Sequence, residues 1–212
     1  MGAELNKSYD LILADKFYEA CRILGHYVEH RSGLFWSFQN SLTIDIPDEF
    51  NRLVREYASS VFASKSPIRG WKLPETGLVL PWIVRMFPDA YYVYWVRDPR
   101  DSIIGAHKTD DLADFSVPYD RVESIREMRA ISWKYQRAIV AGTPTPRRWL
   151  EVKFEDFILQ QEGTLKRLES FLGIELTRIP VSSESVGRWK NDDEINNFDM
   201  FREDLAQLGY VE

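Results

Sequence analysis

The sequence predicts an α/β fold with a mostly parallel sheet, and three observations favour that class. Residues 90–96, AYYVYWV, are continuously apolar and rich in β-forming side chains, as expected of a strand buried on both faces. Residues 149–154, WLEVKF, show the alternation that predicts a second strand. Helical patterns lie between and after these segments, and strands that alternate with helices are typical of parallel sheets.

Further helices and one further strand are expected around these two segments. Before residue 90, the patterns predict a helix at 10–30, a helix after DIPDEF (45–50), a candidate strand IRGWK (68–72) and a helix that begins at Glu75. After residue 96, they predict a helix that begins at Pro99, a long amphipathic helix at 120–142 and a helix at 162–173 that Gly173 ends. Asp45 and Asp48 are candidate caps for the second helix, because aspartate accepts backbone N–H groups at helix starts.

Length and composition indicate one globular domain over residues 1–212. The chain is 44% hydrophobic and contains no repeat, low-complexity tract or obvious linker. Its net charge of −6 repels nucleic acid and other polyanions, so an anion needs a local cluster of basic side chains. We therefore expect no nucleic-acid partner.

The location of the protein is expected to be cytoplasmic. Cys21 is the single cysteine, which excludes an internal disulfide and fits a reducing compartment. No stretch approaches the roughly 20 apolar residues of a membrane span. The first ten residues, MGAELNKSYD, lack the apolar core of a signal peptide. We expect no membrane partner, and the sequence indicates no oligomeric state.

Two arginines follow the end of the first predicted strand. Arg97 and Arg100 flank Pro99, which suits the first turn of a helix. Ligands of α/β sheets bind beyond the carboxyl ends of strands, and guanidinium groups beside a helix start bind anions. The sequence therefore predicts an anion site here. The alternative is structural, with Arg97 paired to Asp98 or Asp101.

Four segments together resemble the sulfotransferase family. VYWVRDPRDSI (93–103) is similar to the family's 3′-phosphate-binding segment, where a strand runs into Arg-Asp/Asn-Pro-Arg/Lys-Asp and a helix. Three more segments agree in order and spacing: GWKLPET (70–76), WLEVKFEDFILQQEGTLKRLESFLG (149–173) and GRWKN (187–191). The resemblance covers roughly residues 65–192. It implies a P-loop-like three-layer α/β domain.

The resemblance also implies a reaction and its substrates. The family transfers a sulfuryl group from 3′-phosphoadenylyl sulfate (PAPS) to a hydroxyl or an amine, without a metal ion. We therefore expect PAPS as cosubstrate and a small molecule or a glycan as acceptor. The alternative is a non-catalytic domain of the same fold, which binds a nucleotide weakly or serves as a scaffold.

Carried over to this chain, the resemblance makes Arg97 the main ligand of the 3′-phosphate, with Arg100 beside it. The family often places a serine eight residues after the first arginine, where this chain has Gly105. Ser102, a backbone N–H or water must then replace that hydroxyl. Phe154 stands where relatives often have a tyrosine near the adenine, so stacking is possible but the hydroxyl bond is not.

The segment GRWKN resembles a C-terminal loop that closes over the nucleotide. Its candidate binding residues are Gly187, Arg188, Trp189 and Lys190. Trp189 either stacks on the ligand or pins the loop to the core. Both readings remain open at this point.

Two residues of GWKLPET are candidates for chemistry. Lys72 resembles a family lysine that assists the leaving phosphate, although a lysine here can also be a solvated loop residue. Many relatives place a histidine two residues later as the base, but Pro74 stands there and cannot accept a proton. Some carbohydrate and bacterial relatives use a carboxylate as the base, and the resemblance then makes Glu75 the nearest candidate. Its alternative role is that of an acid that complements a helix dipole.

The segment after the binding helix is a candidate acceptor site. His107, Asp110 and Asp111 are polar side chains that can contact the acceptor. The segment is also polar enough to be an ordinary surface loop.

Two short patterns mimic other sites. HYVEH (26–30) matches the H-x-x-E-H pattern of zinc peptidases, but no third ligand is marked out, so we expect exposed histidines on a helix and no metal. HRSGLF (30–35) resembles the Arg-Ser-Gly of a phosphate loop, but such a loop must follow a buried strand and open a helix. Both patterns are therefore rejected.

One family feature has no counterpart in the sequence. The family's N-terminal strand and glycine-rich loop cradle the 5′-phosphosulfate with backbone N–H groups, and no segment matches them. We therefore expect a fold in which the N-terminal strand and phosphate loop are missing. The expected sulfuryl transfer by these 212 residues is weak or nil.

Overall fold

The computed structural model describes residue 11 and residues 13–192 and 198–210. Its ten α-helices within these residues are α1 (Ala14–Gly25), α2 (Gln39–Thr43), α3 (Asp48–Tyr57), α4 (Ser59–Ala63), α5 (Leu80–Met86), α6 (Pro99–Ser102), α7 (Ile125–Gly142), α8 (Phe154–Leu159), α9 (Gln161–Leu172) and α10 (Arg202–Leu208). The strands are β1 (Glu29–Ser32), β2 (Phe35–Ser37), β3 (Tyr92–Val96) and β4 (Trp149–Lys153). Short 3₁₀ helices span Pro74–Val79, Leu112–Phe115, Ser183–Ser185, Arg188–Asn191 and Phe198–Phe201.

The described residues form two compact units. The first unit contains residues up to 87 together with 107–144, and the second contains 88–106 and the residues from 145 onwards. The helix α7 and the hairpin of β1 and β2 belong to the first unit, and the parallel strands belong to the second. The expectation of a single domain remains a prediction.

The first unit is built on helices with one apolar face. Helix α1 packs against α3, and the Phe17 and Tyr57 rings meet with their centres 4.8 Å apart. Trp82 of α5 is fully buried, and its edge-on contact with Phe50 has a ring separation of 4.7 Å. These aromatic side chains form much of the core of the unit, which is where large apolar surfaces stabilise most.

The long helix of the first unit confirms the amphipathic pattern at 120–142. Helix α7 begins at Ile125 rather than at residue 120, because Ser124 is its N-cap and accepts a hydrogen bond from the Glu127 N–H. Its buried face includes Ile131, Tyr135 and Ile139, at helical spacing.

The second unit contains the two predicted strands. β3 and β4 are parallel, with Tyr92 opposite Trp149 and Val96 opposite Lys153. Helix α9 packs near β4 and ends at Gly173, whose φ of 71° is the left-handed conformation that glycine adopts readily. The predictions of both strands and of this helix are confirmed. Burial of the first strand on both faces is wrong, because the Trp95 side chain is 43% exposed.

The predicted helix at 10–30 is shorter in the structure. Helix α1 ends at Gly25, and β1 follows at Glu29 as half of an antiparallel hairpin with β2. A Cβ at residue 25 would clash with the Phe115 carbonyl oxygen, so this glycine allows the helix end to approach the 3₁₀ helix Leu112–Phe115. The hairpin turns at Gly33, whose φ is +52°.

Two further sequence predictions are wrong. IRGWK (68–72) forms no strand in the described structure, because backbone N–H groups just before it and at its first residue bond locally to serine hydroxyls. The Ser66 N–H donates to Ser64 Oγ and the Ile68 N–H donates to Ser66 Oγ, a pattern that competes with strand pairing. The start of α3 follows Pro47 and has no side-chain cap, so Asp48 lies in the first turn and Asp45 caps nothing.

The helix predicted from Glu75 is present in two parts. A 3₁₀ helix at Pro74–Val79 leads directly into α5, which ends at Met86 before Pro88. Among the described helices, none is both long and apolar enough to cross a membrane.

Candidate functional site

The segment after β3 turns sharply into α6, and its sequence explains the turn. Asp98 is the N-cap and accepts a hydrogen bond of 2.9 Å from the Arg100 N–H. Pro99 occupies the first helical position, where its missing N–H costs nothing. The predicted helix start at Pro99 is confirmed, and α6 has a single turn. This turn fixes where the arginines of RDPRD lie.

Arg100 is paired within the protein. Its guanidinium group donates to both carboxylate oxygens of Asp98, with Nη2–Oδ2 at 2.8 Å and Nε–Oδ1 at 3.0 Å. Both side chains are buried. The structural salt bridge considered for Arg97 and Asp98 is therefore formed by Arg100 instead. A paired guanidinium group has fewer donors to offer a ligand.

Arg97 is only half-buried and is less fully engaged. Its Nη2 donates to the Ser185 carbonyl oxygen and lies 3.7 Å from Oδ2 of Asp101. The guanidinium carbon is 4.5 Å from the centre of the Phe154 ring. Its Nε is buried and has no hydrogen-bond partner among the described residues. An unsatisfied buried donor is costly, so this atom favours a ligand or water at the site.

The charge on Arg97 is held in an unfavourable environment. Burial lowers the pKa of Arg97 from its ordinary value, and Asp101 opposes that shift. The nearby Arg188 guanidinium lowers the pKa further, because two like charges repel. An anion between the two arginines would offset both effects.

Asp101 connects α6 with the predicted C-terminal loop. Its Oδ2 accepts a hydrogen bond of 2.7 Å from the Gly187 N–H, and its Oδ1 accepts one of 3.0 Å from the Trp189 N–H. Arg188 donates to the Asp101 carbonyl oxygen at 3.3 Å. Gly187 has a φ of 74°, the left-handed conformation from which the 3₁₀ helix Arg188–Asn191 starts. The sequence alone indicates Asp101 only as a possible partner of Arg97.

The aromatic ring of the loop lies against α6. The Arg100 guanidinium carbon is 3.9 Å from the centre of the Trp189 ring, a cation–π contact. Of the two roles left open for Trp189, this contact favours pinning the loop. Lys190 is exposed, and its Nζ lies 5.7 Å from the same ring centre.

The hydroxyl candidate Ser102 is hydrogen-bonded within the protein, whereas the glycine candidate Gly105 is surrounded by open space. Ser102 Oγ donates to the Asp98 carbonyl oxygen at 3.0 Å. A Cβ added at Gly105 would meet no heavy atom within 4 Å, so this position is open. The structure thus leaves room for the serine that relatives often carry at that point.

Glu155 is a residue of this site that the sequence did not mark out. Its Oε1 accepts a hydrogen bond of 3.0 Å from the Asp98 N–H, and its Oε2 accepts one of 2.7 Å from the Tyr210 hydroxyl. Burial and the bond to Glu155 raise the pKa of Tyr210. Glu155 therefore ties the turn after β3 to the first turn of α8. The acid that follows Phe154 was the only local signal for it.

The candidate catalytic residues lie in the first unit. Lys72 is exposed and directly precedes the 3₁₀ helix Pro74–Val79. Glu75, in the first turn of that helix, is only 3% exposed. Its carbonyl oxygen accepts a hydrogen bond of 3.6 Å from the Cys21 thiol. Burial raises the pKa of Cys21, and the Glu75 carboxylate adds to that effect.

The candidate acceptor residues also lie in the first unit. His107 is exposed, and its backbone N–H donates to Asp110 Oδ2 at 2.9 Å. The same carboxylate accepts a bond of 2.8 Å from Arg129 Nε. Asp111 accepts a bond of 3.0 Å from the Tyr119 hydroxyl. These partners give both carboxylates a structural role in the loop.

The two patterns that mimic other sites, HYVEH and HRSGLF, lie outside helices in the structure. Helix α1 ends before His26, while Glu29 and His30 belong to β1, so HYVEH does not present two imidazoles on one helix. The expectation of exposed histidines on a helix is therefore wrong, and His30 is only partly exposed. HRSGLF forms the β1–β2 hairpin and does not open a helix. His30 Nε2 lies at hydrogen-bond distance, 2.9 Å, from the Gly33 carbonyl oxygen.

Comparison with protein-family models matches residues 5–178 to the sulfotransferase family. The match spans most of the chain, which therefore belongs to this family of transferases. Comparisons with curated proteins and with solved structures found no significant match. The combination of helices with a small parallel sheet is compatible with the α/β fold of sulfotransferases. The recognition drawn from RDPRD and its companion segments is thereby confirmed.

Proposed function

We propose that the protein transfers a sulfuryl group from PAPS to a hydroxyl, or an amine, of a small molecule or glycan. The observation that carries the proposal is that the half-buried Arg97, at the end of β3, and Arg188 both contact Asp101. Arg97 Nη2 lies 3.7 Å from Asp101 Oδ2, and Arg188 donates to the Asp101 carbonyl oxygen at 3.3 Å. A half-buried guanidinium group with a second, exposed one beside the same aspartate favours a dianion such as a 3′-phosphate. Family membership supports sulfuryl transfer as the reaction.

The residues of the second unit fit the nucleotide end of PAPS. Arg97 supplies the buried Nε, and Arg188 supplies a second charge. Phe154 offers an aromatic face on which the adenine can stack. The further residues proposed to shape this end of the site are Arg100, Ser102, Gly105, Gly187, Trp189 and Lys190. Arg100 and Trp189 do so by holding α6 and the loop together.

The proposed chemistry needs a cation and a base. PAPS supplies the sulfuryl group, and negative charge develops on the phosphate that leaves. Lys72 is proposed to stabilise that charge, as the resemblance of GWKLPET to the family implies, and its side chain is exposed. Glu75 is proposed as the base that takes the acceptor proton. Because Glu75 is buried, it can also contribute to the stability of the fold. The turnover of a folded Glu75→Gln protein distinguishes the two roles, because a base is lost in this variant and most of the packing is kept.

The remaining parts of the proposal concern the acceptor and the setting. His107, Asp110 and Asp111 are proposed to contact the acceptor. The chain is proposed to form a single domain with a P-loop-like, three-layer fold. It is proposed to be cytoplasmic and to act without a metal ion, a nucleic acid or a membrane as partner. Because no segment matches the family's glycine-rich loop, transfer by these 212 residues is proposed to be weak.

A second candidate function is non-catalytic nucleotide binding or scaffolding. The ion pairs of Arg100 with Asp98 and of Arg97 with Asp101 favour it, because they show that both arginines also serve the fold. Under this function the nucleotide binds, but no group is transferred.

Calorimetry with adenosine 3′,5′-bisphosphate (PAP) and AMP tests the site, because the two ligands differ only in the 3′-phosphate. We expect PAP to bind more tightly, and equal binding would contradict the assignment. Transfer of labelled sulfate from PAPS to a panel of hydroxylated acceptors then tests the reaction. Selective PAP binding without any transfer would favour the non-catalytic function.

A further inference from the structure

We propose that Asp101 is the positioning residue that holds the loop at 187–190 and thereby sets the preference of the site for a 3′-phosphate. The ligand in this statement rests on the proposed function. The positioning itself rests on the contacts of Asp101 alone.

The carboxylate of Asp101 is shared between two backbone donors. It is 1% exposed, and each of its oxygens accepts one N–H of the loop, from Gly187 at 2.7 Å and from Trp189 at 3.0 Å. A buried carboxylate requires such donors, and charged hydrogen bonds are the strong ones. The geometry therefore fixes the loop relative to α6 at two points.

Asp101 is not required to start its own helix. Asp98 already caps α6, and the carboxylate of Asp101 instead bonds to residues that follow it by more than eighty positions. The long separation indicates a role in bringing two distant segments together. The role is therefore separable from local helix stability.

The same residue orders the two cations of the site. Arg188 donates to the Asp101 carbonyl oxygen at 3.3 Å, and Arg97 Nη2 lies 3.7 Å from Asp101 Oδ2. Without the loop bonds, Arg188 would gain freedom and would leave the repulsive neighbourhood of Arg97. Loss of the Asp101 carboxylate should therefore reduce 3′-phosphate binding through the loop.

Asp101→Asn in the full chain tests the proposal. One carboxylate oxygen becomes an amide NH₂, which cannot accept an N–H. We expect amide exchange at Gly187 and Trp189 to accelerate by about tenfold or more without ligand, as for a lost charged hydrogen bond. We expect PAP affinity to fall by about tenfold and AMP affinity to change less.

Glu169→Gln is the matched control. Glu169 lies in the same unit, and its carboxylate likewise accepts a backbone N–H, from Leu176 at 3.0 Å, and pairs with Arg178. It should change neither the exchange at 187–190 nor the ratio of PAP to AMP affinity. In an Arg188→Ala background, Asp101→Asn should no longer lower that ratio, because the loop then carries no guanidinium group to position.

Gly187→Ala gives a second route if Asp101→Asn does not fold. An alanine at a φ of 74° is strained, so this change should loosen the loop with Asp101 intact and lower the ratio of PAP to AMP affinity as well.

Unchanged amide exchange in a folded Asp101→Asn protein would overturn the positioning role. Faster exchange with an unchanged PAP to AMP ratio would overturn the link to the phosphate. Equal binding of PAP and AMP by the wild type would refute the proposed function, while amide exchange would still test the positioning.

Discussion

The guanidinium carbon of Arg100 lies 3.9 Å from the centre of the Trp189 ring, and the same group is paired with the buried Asp98. The donors of Arg100 are thus directed at a carboxylate, and one face is covered by an indole. Arg97 differs, since it is half-buried and its Nε has no partner among the described residues. The two arginines of RDPRD therefore have different roles: Arg100 is engaged within the fold, and Arg97 has a donor for a ligand. Substitutions of the two residues should have different effects on ligand binding.

Arg97→Ala should weaken PAP binding by about 2 to 4 kcal/mol, the range for removing one partner of a largely desolvated charge pair. AMP binding should change little, because AMP lacks the 3′-phosphate. Calorimetry of both ligands measures the difference. Arg178→Ala is the control, since Arg178 is an ion-paired arginine of the same unit outside the site. Equal losses for PAP and AMP would show that Arg97 does not contact the 3′-phosphate.

Gly105→Ser should strengthen PAP binding. A side chain at this position meets no heavy atom within 4 Å, so the hydroxyl can be added without displacing protein atoms. A hydrogen bond to a charged phosphate should raise affinity by about tenfold. Gly105→Ala adds the same Cβ without the hydroxyl and should leave affinity unchanged. A similar gain with alanine would assign the effect to backbone stiffening instead.

The sequence predicted the elements whose signals are local. The strand β3 with its continuous apolar run, the start of α6 at Pro99 and the end of α9 at Gly173 are all determined by neighbouring residues, and the structure confirms them. The candidate anion site was predicted by the same local logic, because RDPRD directly follows a strand, and it remains a prediction. These parts needed no knowledge of distant contacts.

Tertiary contacts account for what the sequence did not predict. Helix α1 ends at Gly25, where it approaches the backbone of Phe115, ninety residues later. The bonds from Gly187 and Trp189 to Asp101 join segments of similar separation. No periodicity or cap pattern encodes such pairings. The role of Asp101 therefore became apparent only in the structure.

Lys72→Ala should lower the turnover of PAPS more than it weakens PAP binding. The proposed ammonium charge matters most when the leaving oxygen becomes anionic, which is a transition-state effect. Because Lys72 is exposed, the free energy of unfolding should change little. Steady-state kinetics, calorimetry and urea unfolding measure the three quantities.

Lys65→Ala is the control, because Lys65 is another exposed lysine of the same unit, and it should leave turnover unchanged. If Lys72→Ala kept wild-type turnover, Lys72 would be an ordinary loop residue with no part in the reaction.

The free energy of unfolding should fall steeply in alkaline solution. Burial raises the pKa of Tyr92 to about 12, and burial with the Glu155 bond raises the pKa of Tyr210. A raised native pKa means that the folded state holds the proton more tightly. The stability that this supplies is present below the unfolded tyrosine pKa of about 10 and is lost as pH rises above it. Urea unfolding at several pH values should show a shallower alkaline fall for Tyr210→Phe than for the wild type, and an unchanged slope would contradict the Tyr210 contribution.

Gly25→Ala should destabilise the first unit strongly. The added Cβ would collide with the Phe115 carbonyl oxygen, which is backbone and cannot rotate away, so α1 must shift from the 3₁₀ helix Leu112–Phe115. Overpacking of this kind typically costs about 1 to 3 kcal/mol, and thermal or urea unfolding measures it. Gly163→Ala is the matched control in α9, where a Cβ meets no heavy atom within 4 Å. It should stabilise the protein by about 0.5 to 1 kcal/mol, because alanine favours helix more than glycine does. The two substitutions should therefore change the free energy of unfolding in opposite directions. If Gly25→Ala left the free energy of unfolding unchanged, α1 would be able to move away from Phe115 without loss of stability.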